Sequence, residues 1–160
     1  MNRDRILEVI YKKLDPWSME TPKKTKDQIF AEMLKEIDNH VAFPIEKNGM
    51  VFYVMPETNQ RARLHLFSDT KDVKTAIQSA KWLTNFLFCN INSLEKLYGI
   101  TPHHKFLRII TRVGWFYEGT ITHSHFTKDG QMKDQYVFGV TRPQHQTQSN
   151  NAHNQIRRTK

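Results

Sequence analysis

Apolar residues recur every three to four positions over the first forty residues and every second position thereafter, a switch that predicts helices followed by strands. Ile6, Ile10 and Leu14 fall on one face of a helix over about Asp4 to Leu14, which Asp15-Pro16 ends. Trp17 to Lys24 reads as a loop. Thr25-Lys26-Asp27-Gln28 fits a capping box, in which the Thr hydroxyl and the Gln amide satisfy each other's backbone donors. Ile29, Phe30, Met33, Leu34 and Ile37 line one face of the helix that follows.

From Val41 the period is two. Val41–Ile45 and Met50–Met55 flank Glu46-Lys47-Asn48-Gly49 and predict a hairpin, with Asn48-Gly49 accepting the positive φ angles of the turn. Ala62–Phe67 is a third strand. Asp69 and Thr70 are placed to cap a long helix with Val73, Ala76, Ile77, Ala80, Leu83 and Leu87 on its apolar side. Leu94–Ile100 is a fourth strand, and Thr101-Pro102 opens a helix that buries Phe106, Leu107, Ile110 and Val113 and stops at Gly114. Phe116–Phe126 and Gln131–Val140 close the set, joined at Lys128-Asp129-Gly130. The organisation is a single α/β domain over 1–140, its N-terminal helices within 1–40, followed by a polar, basic tail over 141–160 that only a partner would order.

A chain of 160 residues, 38% hydrophobic and 25% charged, is one globular domain rather than a disordered segment. It lacks a run of about 20 apolar residues, so no membrane span is expected. Met1-Asn2-Arg3-Asp4-Arg5 leads into an amphipathic stretch, not the apolar core of a secretion signal. The single cysteine, Cys89, excludes an internal disulfide, suits a reducing compartment and reads as a buried thiol at the apolar end of a helix. The net charge of +8 is uneven: Lys23, Lys24 and Lys26 cluster, and no acid follows Asp134, while Arg142, Arg157, Arg158 and Lys160 do. Such a tail can hold nucleic acid, an acidic protein surface or anionic lipid. Trp17, in a loop, is a candidate interface anchor.

Other constellations are weaker. His123 and His125 alternate on a strand, which would put them on one face, with His103 or His104 as further zinc ligands, but no signature is completed and no metal is expected. His65 should face away from Leu64 and Leu66. Glu95 and Glu118 read as solvated carboxylates without a partner.

Leu94-Glu95-Lys96-Leu97-Tyr98-Gly99-Ile100, the run Phe106 to Trp115, Tyr117-Glu118-Gly119 and Asp129-Gly130-Gln131, taken with the order of elements, resemble the GNAT superfamily of N-acetyltransferases. They are similar in particular to the shorter GNAT-like head-assembly or internal virion proteins of tailed bacteriophages. The resemblance spans about 40–140 and implies a mixed sheet of about six strands with flanking helices. The superfamily's first strand has no counterpart, because the chain opens with a helix. The resemblance implies an acyl-CoA site between Arg61–Phe67 and Leu94–Ile100, with the pyrophosphate on a Gln/Arg-x-x-Gly-x-Gly/Ala loop ahead of the long helix. Here that segment, Phe67 to Lys74, has no glycine and carries Asp69 and Asp72. Bare main chain at a helix start holds a pyrophosphate, and acids repel it. The family's usual Asn stands as His103 and its Tyr general acid as Ile110, which cannot transfer a proton.

These departures predict a non-catalytic GNAT-like phage protein with no catalytic residue, cofactor or metal, acting in head assembly or inside the virion. Trp17, Arg142, Arg157, Arg158 and Lys160 would make its contacts. The expected partners are other virion or assembly proteins, and DNA through the basic tail, with no membrane. The expected location is the host cytoplasm during assembly and then the virion. The alternative is a divergent acyl-CoA-dependent N-acetyltransferase using acetyl-CoA, with Ser68, Thr70, Lys71, Lys74 and His103 at the cofactor. A nucleic-acid-binding regulator ranks behind both, because the positive charge lies in a loop and a tail rather than on one folded face.

Overall fold

The computed structural model describes residues 3–14, 24–68, 71–127 and 130–146. The elements are α1 (Arg3–Lys13), α2 (Lys26–Asp38), β1 (Phe43–Lys47), β2 (Met50–Pro56), β3 (Arg61–Ser68), α3 (Val73–Asn90), β4 (Lys96–Thr101), α4 (Leu107–Val113), β5 (Phe116–Phe126) and β6 (Met132–Thr141). A 3-10 turn at His104–Phe106 leads into α4. All six strands form one sheet in the order β1-β2-β3-β4-β6-β5. Only β3 and β4 run parallel, because α3 carries the chain back between them; every other pair is antiparallel.

The turn chemistry read from the sequence is present. Thr25 Oγ1 accepts from the Gln28 N–H at 3.2 Å and Gln28 Oε1 accepts from the Thr25 N–H at 2.8 Å. Asn48 and Gly49 turn the first hairpin with φ of 53° and 77°. Gly114 ends α4 with φ of 98°.

The sheet is covered on both faces. Met50, Phe52, Leu97, Phe138 and Val140 pack under α3 and α4 with Leu83, Leu87 and Ile110. Val51, Tyr53 and Phe67 pack under α1 and α2 with Val9, Ile10, Ile29 and Met33. β2 lies beneath both layers and is therefore buried continuously from Met50 to Val54. Among the described residues α1 makes its main sheet contacts with β2 and β3, and no helix covers the same face of β4, β6 and β5 to a comparable extent.

Several local expectations change. α3 is capped by Asp72, not by Asp69 or Thr70, which lie outside the described residues: its carboxylate accepts from the N–H groups of Lys74 and Thr75, both at 3.1 Å. β4 begins at Lys96, because Leu94 bonds back to Ile91 in a turn while Glu95 and Lys96 donate to Gln60. Cys89 is exposed rather than buried, one position beyond the buried Phe88 and so on the solvent side of α3. β6 runs through Thr141, and residues 142–146 form a helical turn that sets His145 against Phe88, ring centroids 5.4 Å apart. None of the described helices is long and apolar enough to cross a membrane.

Candidate functional site

The parallel ladder between β3 and β4 holds for three pairs: Arg61 with Lys96, Ala62 with Leu97, and Arg63 with Tyr98. Beyond them β3 continues to Ser68 and β4 to Thr101 without pairing, so the two strands part. A cavity of about 440 Å³ opens in the gap, a size in the range of small-molecule sites. Leu64, Leu66 and Ile100 come from the parted strands, Val73 and Ala76 from the first turn of α3, and Phe106 and Ile110 from the far side. Polar groups stand among these apolar walls: His65, Ser68, Lys71, Asp72, Thr101 and His103. The main-chain edges that would have continued the ladder face this space, so a ligand bearing amides can take their place.

At the mouth, Asp72 has its pKa lowered, first by a 2.5 Å hydrogen bond from the Thr75 hydroxyl and then by the Lys74 and Thr75 N–H groups. It is an anion at neutral pH, seated on the donors that an incoming phosphate would use. Lys71 and Lys74 flank it with positive charge. Within the cleft, burial pushes His65 down to about 4, helped by the charge of Arg63, so this imidazole is neutral near pH 7.

The face of the splay turned away from α3 and α4 carries a polar row. Arg61, Arg63 and His65 alternate with Ala62 and Leu64, and His65 stands opposite Tyr53 in the α1–α2 layer. Tyr98, across from Arg63, donates its hydroxyl to Glu57, and burial together with that carboxylate raises it to about 12. Arg61 Nε reaches the same carboxylate at 2.9 Å and lies over the Tyr98 ring. Lys96 pairs with Glu118 at 2.7 Å. A Cβ at Gly139 would lie 2.9 Å from Glu118 Oε1 and 2.7 Å from the Leu97 carbonyl oxygen, so the glycine gives Glu118 its place over the sheet.

Of the residues singled out from the sequence, Ser68, Lys71 and His103 do line the cavity, whereas Lys74 holds Asp72 by its main chain and is not in the lining. Thr70, Trp17, Arg157, Arg158 and Lys160 lie outside the described residues. Arg142 turns inward instead of outward: it donates to the carbonyls of Phe88, Ile91, Asn92 and Leu94 at 2.7–3.3 Å and closes the end of α3. His123 and His125 do not share a face. A register shift and a positive φ at His123 leave His123 exposed and His125 buried. No group of three or more metal-ligating side chains forms among the described residues. Glu95 and Glu118 both have cationic neighbours, Arg142 at 3.7 Å and Lys96. Ile110 is core, 7% exposed, and also walls the cavity. The Glu57–Tyr98 contact and Arg63 went unnoticed in the sequence, although the alternation Arg61-x-Arg63-x-His65 beside Lys96-x-Tyr98 is the period-two signal of a polar sheet face.

No family model matches this sequence, and no curated protein matches it. Solved structures do match its fold. A spermidine N-acetyltransferase from Vibrio cholerae in complex with CoA and spermine is 14% identical, covers 91% of this chain and 94% of its own, and superposes with a TM-score of 0.71. The spermidine/spermine N-acetyltransferase of the same organism in complex with manganese ions is 16% identical over 93% and 94%, with a TM-score of 0.66. A probable acetyltransferase is 13% identical over 87% and 86%, with a TM-score of 0.63. The chain therefore has the GNAT fold, in one domain with a six-stranded mixed sheet and flanking helices.

These neighbours overturn the expectation of a non-catalytic phage protein of head assembly or the virion interior. The neighbours named above, which share the fold over 87–93% of the chain, are spermidine N-acetyltransferases and a probable acetyltransferase. The glycine-free loop bears on the pyrophosphate end alone, and the cleft between β3 and β4, which Ile110 and His103 line, is intact.

Proposed function

We propose that the protein is a divergent acyl-CoA-dependent N-acetyltransferase. The observation that carries this reading is the cavity of about 440 Å³ in the splay between β3 and β4, apolar along its walls and open at the start of α3. An acyl thioester on a flexible amide-bearing arm fits that shape: its methylenes meet Leu64, Val73 and Phe106, and its amides meet the unpaired strand edges. The phosphate end fits less well, since Asp72 holds the helix donors, and Lys71 and Lys74 supply the attraction instead. Acetyl-CoA supplies the acetyl group and a thiolate leaving group. The amine nitrogen bonds to the acetyl carbon, the carbon–sulfur bond breaks, and the nitrogen gives up a proton.

His65 is the residue we assign to that proton. It is uncharged near pH 7 and lines the cleft. An imidazole held this low is a weak base, adequate only once bond formation makes the nitrogen strongly acidic. The absence of a tyrosine at Ile110 is tolerable because a thiol titrates at about 8.5 and its thiolate leaves without an obligate acid. A compartment that contains acetyl-CoA, such as the cytoplasm, follows from this reading. The test is release of free thiol from acetyl-CoA in the presence of a mixed panel of primary amines. Amine-dependent release that exceeds hydrolysis supports the proposal, and release that no amine accelerates overturns it.

A further inference from the structure

Resting on the acetyltransferase reading, we infer that the acceptor is an amine that also carries a carboxylate, and that Arg63 is the residue that binds that carboxylate. The argument starts from the charge on the acceptor side of the splay. Arg61 is matched by Glu57, and Glu57 is engaged a second time by the Tyr98 hydroxyl. Lys96 is matched by Glu118. Arg63 forms no ion pair or hydrogen bond among the described residues, though it is half-buried on the same face. It stands opposite Met55 of the α1–α2 layer and beside Tyr98 at the last rung before the strands part. Its charge acts on both His65, two residues along the same strand, and Tyr98, its partner across the ladder.

A half-buried arginine with no counter-ion among the described residues is costly to keep, and its planar fork is matched by a carboxylate held through two parallel hydrogen bonds. Position argues the same way. Arg63 and His65 are two residues apart on one strand, about 7 Å, a span that an amine and a carboxylate separated by a few bonds cover once the guanidinium's own reach is counted. An anion on Arg63 would therefore leave the amine beside the imidazole at the cleft. The same charges disfavour a polycation. Among the described residues the carboxylates near this row are already engaged, Glu57 by Arg61 and Tyr98, Glu118 by Lys96 and Glu36 by the Tyr53 hydroxyl, so a polyamine would meet the charge of Arg63 with no unengaged acid beside it.

The test compares free amino acids, their carboxamides and spermidine as acceptors with acetyl-CoA, in the wild-type protein and in Arg63→Ala and Arg63→Lys, with CoA binding followed separately. The inference expects kcat/KM for carboxylate-bearing amines to exceed that for the matched amides by about tenfold or more, a difference of about 1.4 kcal/mol. It expects Arg63→Ala to erase that margin mainly through KM, Arg63→Lys to restore part of it, and CoA affinity to stay unchanged. Turnover of amides or spermidine as fast as that of the amino acids overturns it, as does an equal loss for acid and amide in Arg63→Ala. If CoA binds and no carboxylate-bearing amine is turned over, the carboxylate assignment falls alone. If CoA does not bind, the acetyltransferase reading falls first.

Discussion

His65 shows how one side chain couples the cleft to stability. Its pKa is about 4 in the folded protein against 6.5 when unrestrained. The unfolded chain therefore takes up its proton first as pH falls. The associated stability is fully present above about pH 6.5, declines as pH falls toward 4, and changes no further below that. The full loss should be about 2 kcal/mol, kept below the ideal conversion because the ring retains some contact with water. Urea midpoints measured from pH 7 to pH 4 should fall in the wild type and fall less in His65→Gln; equal slopes in the two proteins would contradict the burial assigned here. Asp72 is the opposite case. It remains an anion well below neutrality because the Thr75 hydroxyl and two main-chain donors favour its charged form, and this is the cost that any phosphate must meet at the cavity mouth.

At the scale of elements, the helix ends and the strand edges decide where the chain can open. α3 begins on Asp72 and ends on Arg142, a residue that β6 delivers from the far end of the chain. The Arg142 guanidinium takes up carbonyls at and just beyond the end of α3 that would otherwise lack partners. Arg142→Ala should cost about 2 kcal/mol and lower Tm by about 6 °C, read by thermal unfolding, while a Tm within a degree of wild type would mean that water replaces these bonds without loss.

Much of this level was legible in advance. The capping box at Thr25, the turns at Asn48-Gly49 and Gly114, and the strand Phe116–Phe126 all rest on local chemistry, and the structure has each of them. What local pattern could not convey was long-range. Nothing near Arg142 in sequence signals that its partners lie some fifty positions earlier, and a terminal cation therefore reads as a binding residue. The bulge that separates His123 from His125 likewise depends on pairing with β6, including the Asp134 carboxylate that accepts from the His123 N–H. The cavity belongs to the same class, because it exists only where the β3–β4 ladder ends, and ladder length is a tertiary property.

For the whole molecule, two layers of core leave the sheet free to part at one seam. β2 is locked on both faces and β6 is flanked by β4 and β5, whereas β3 and β4 are joined by three rungs and a crossover helix. The glycine-free loop weighs against the proposed acyl-CoA binding, and the seam with its apolar cavity weighs for it. Calorimetric titration of acetyl-CoA into the protein near pH 7 weighs these arguments against each other directly. One-to-one binding with a Kd in the range of about 10–100 µM and a negative ΔCp is the predicted result, the affinity lowered by Asp72 and the heat capacity set by the apolar walls. No heat of binding at millimolar acetyl-CoA would contradict it.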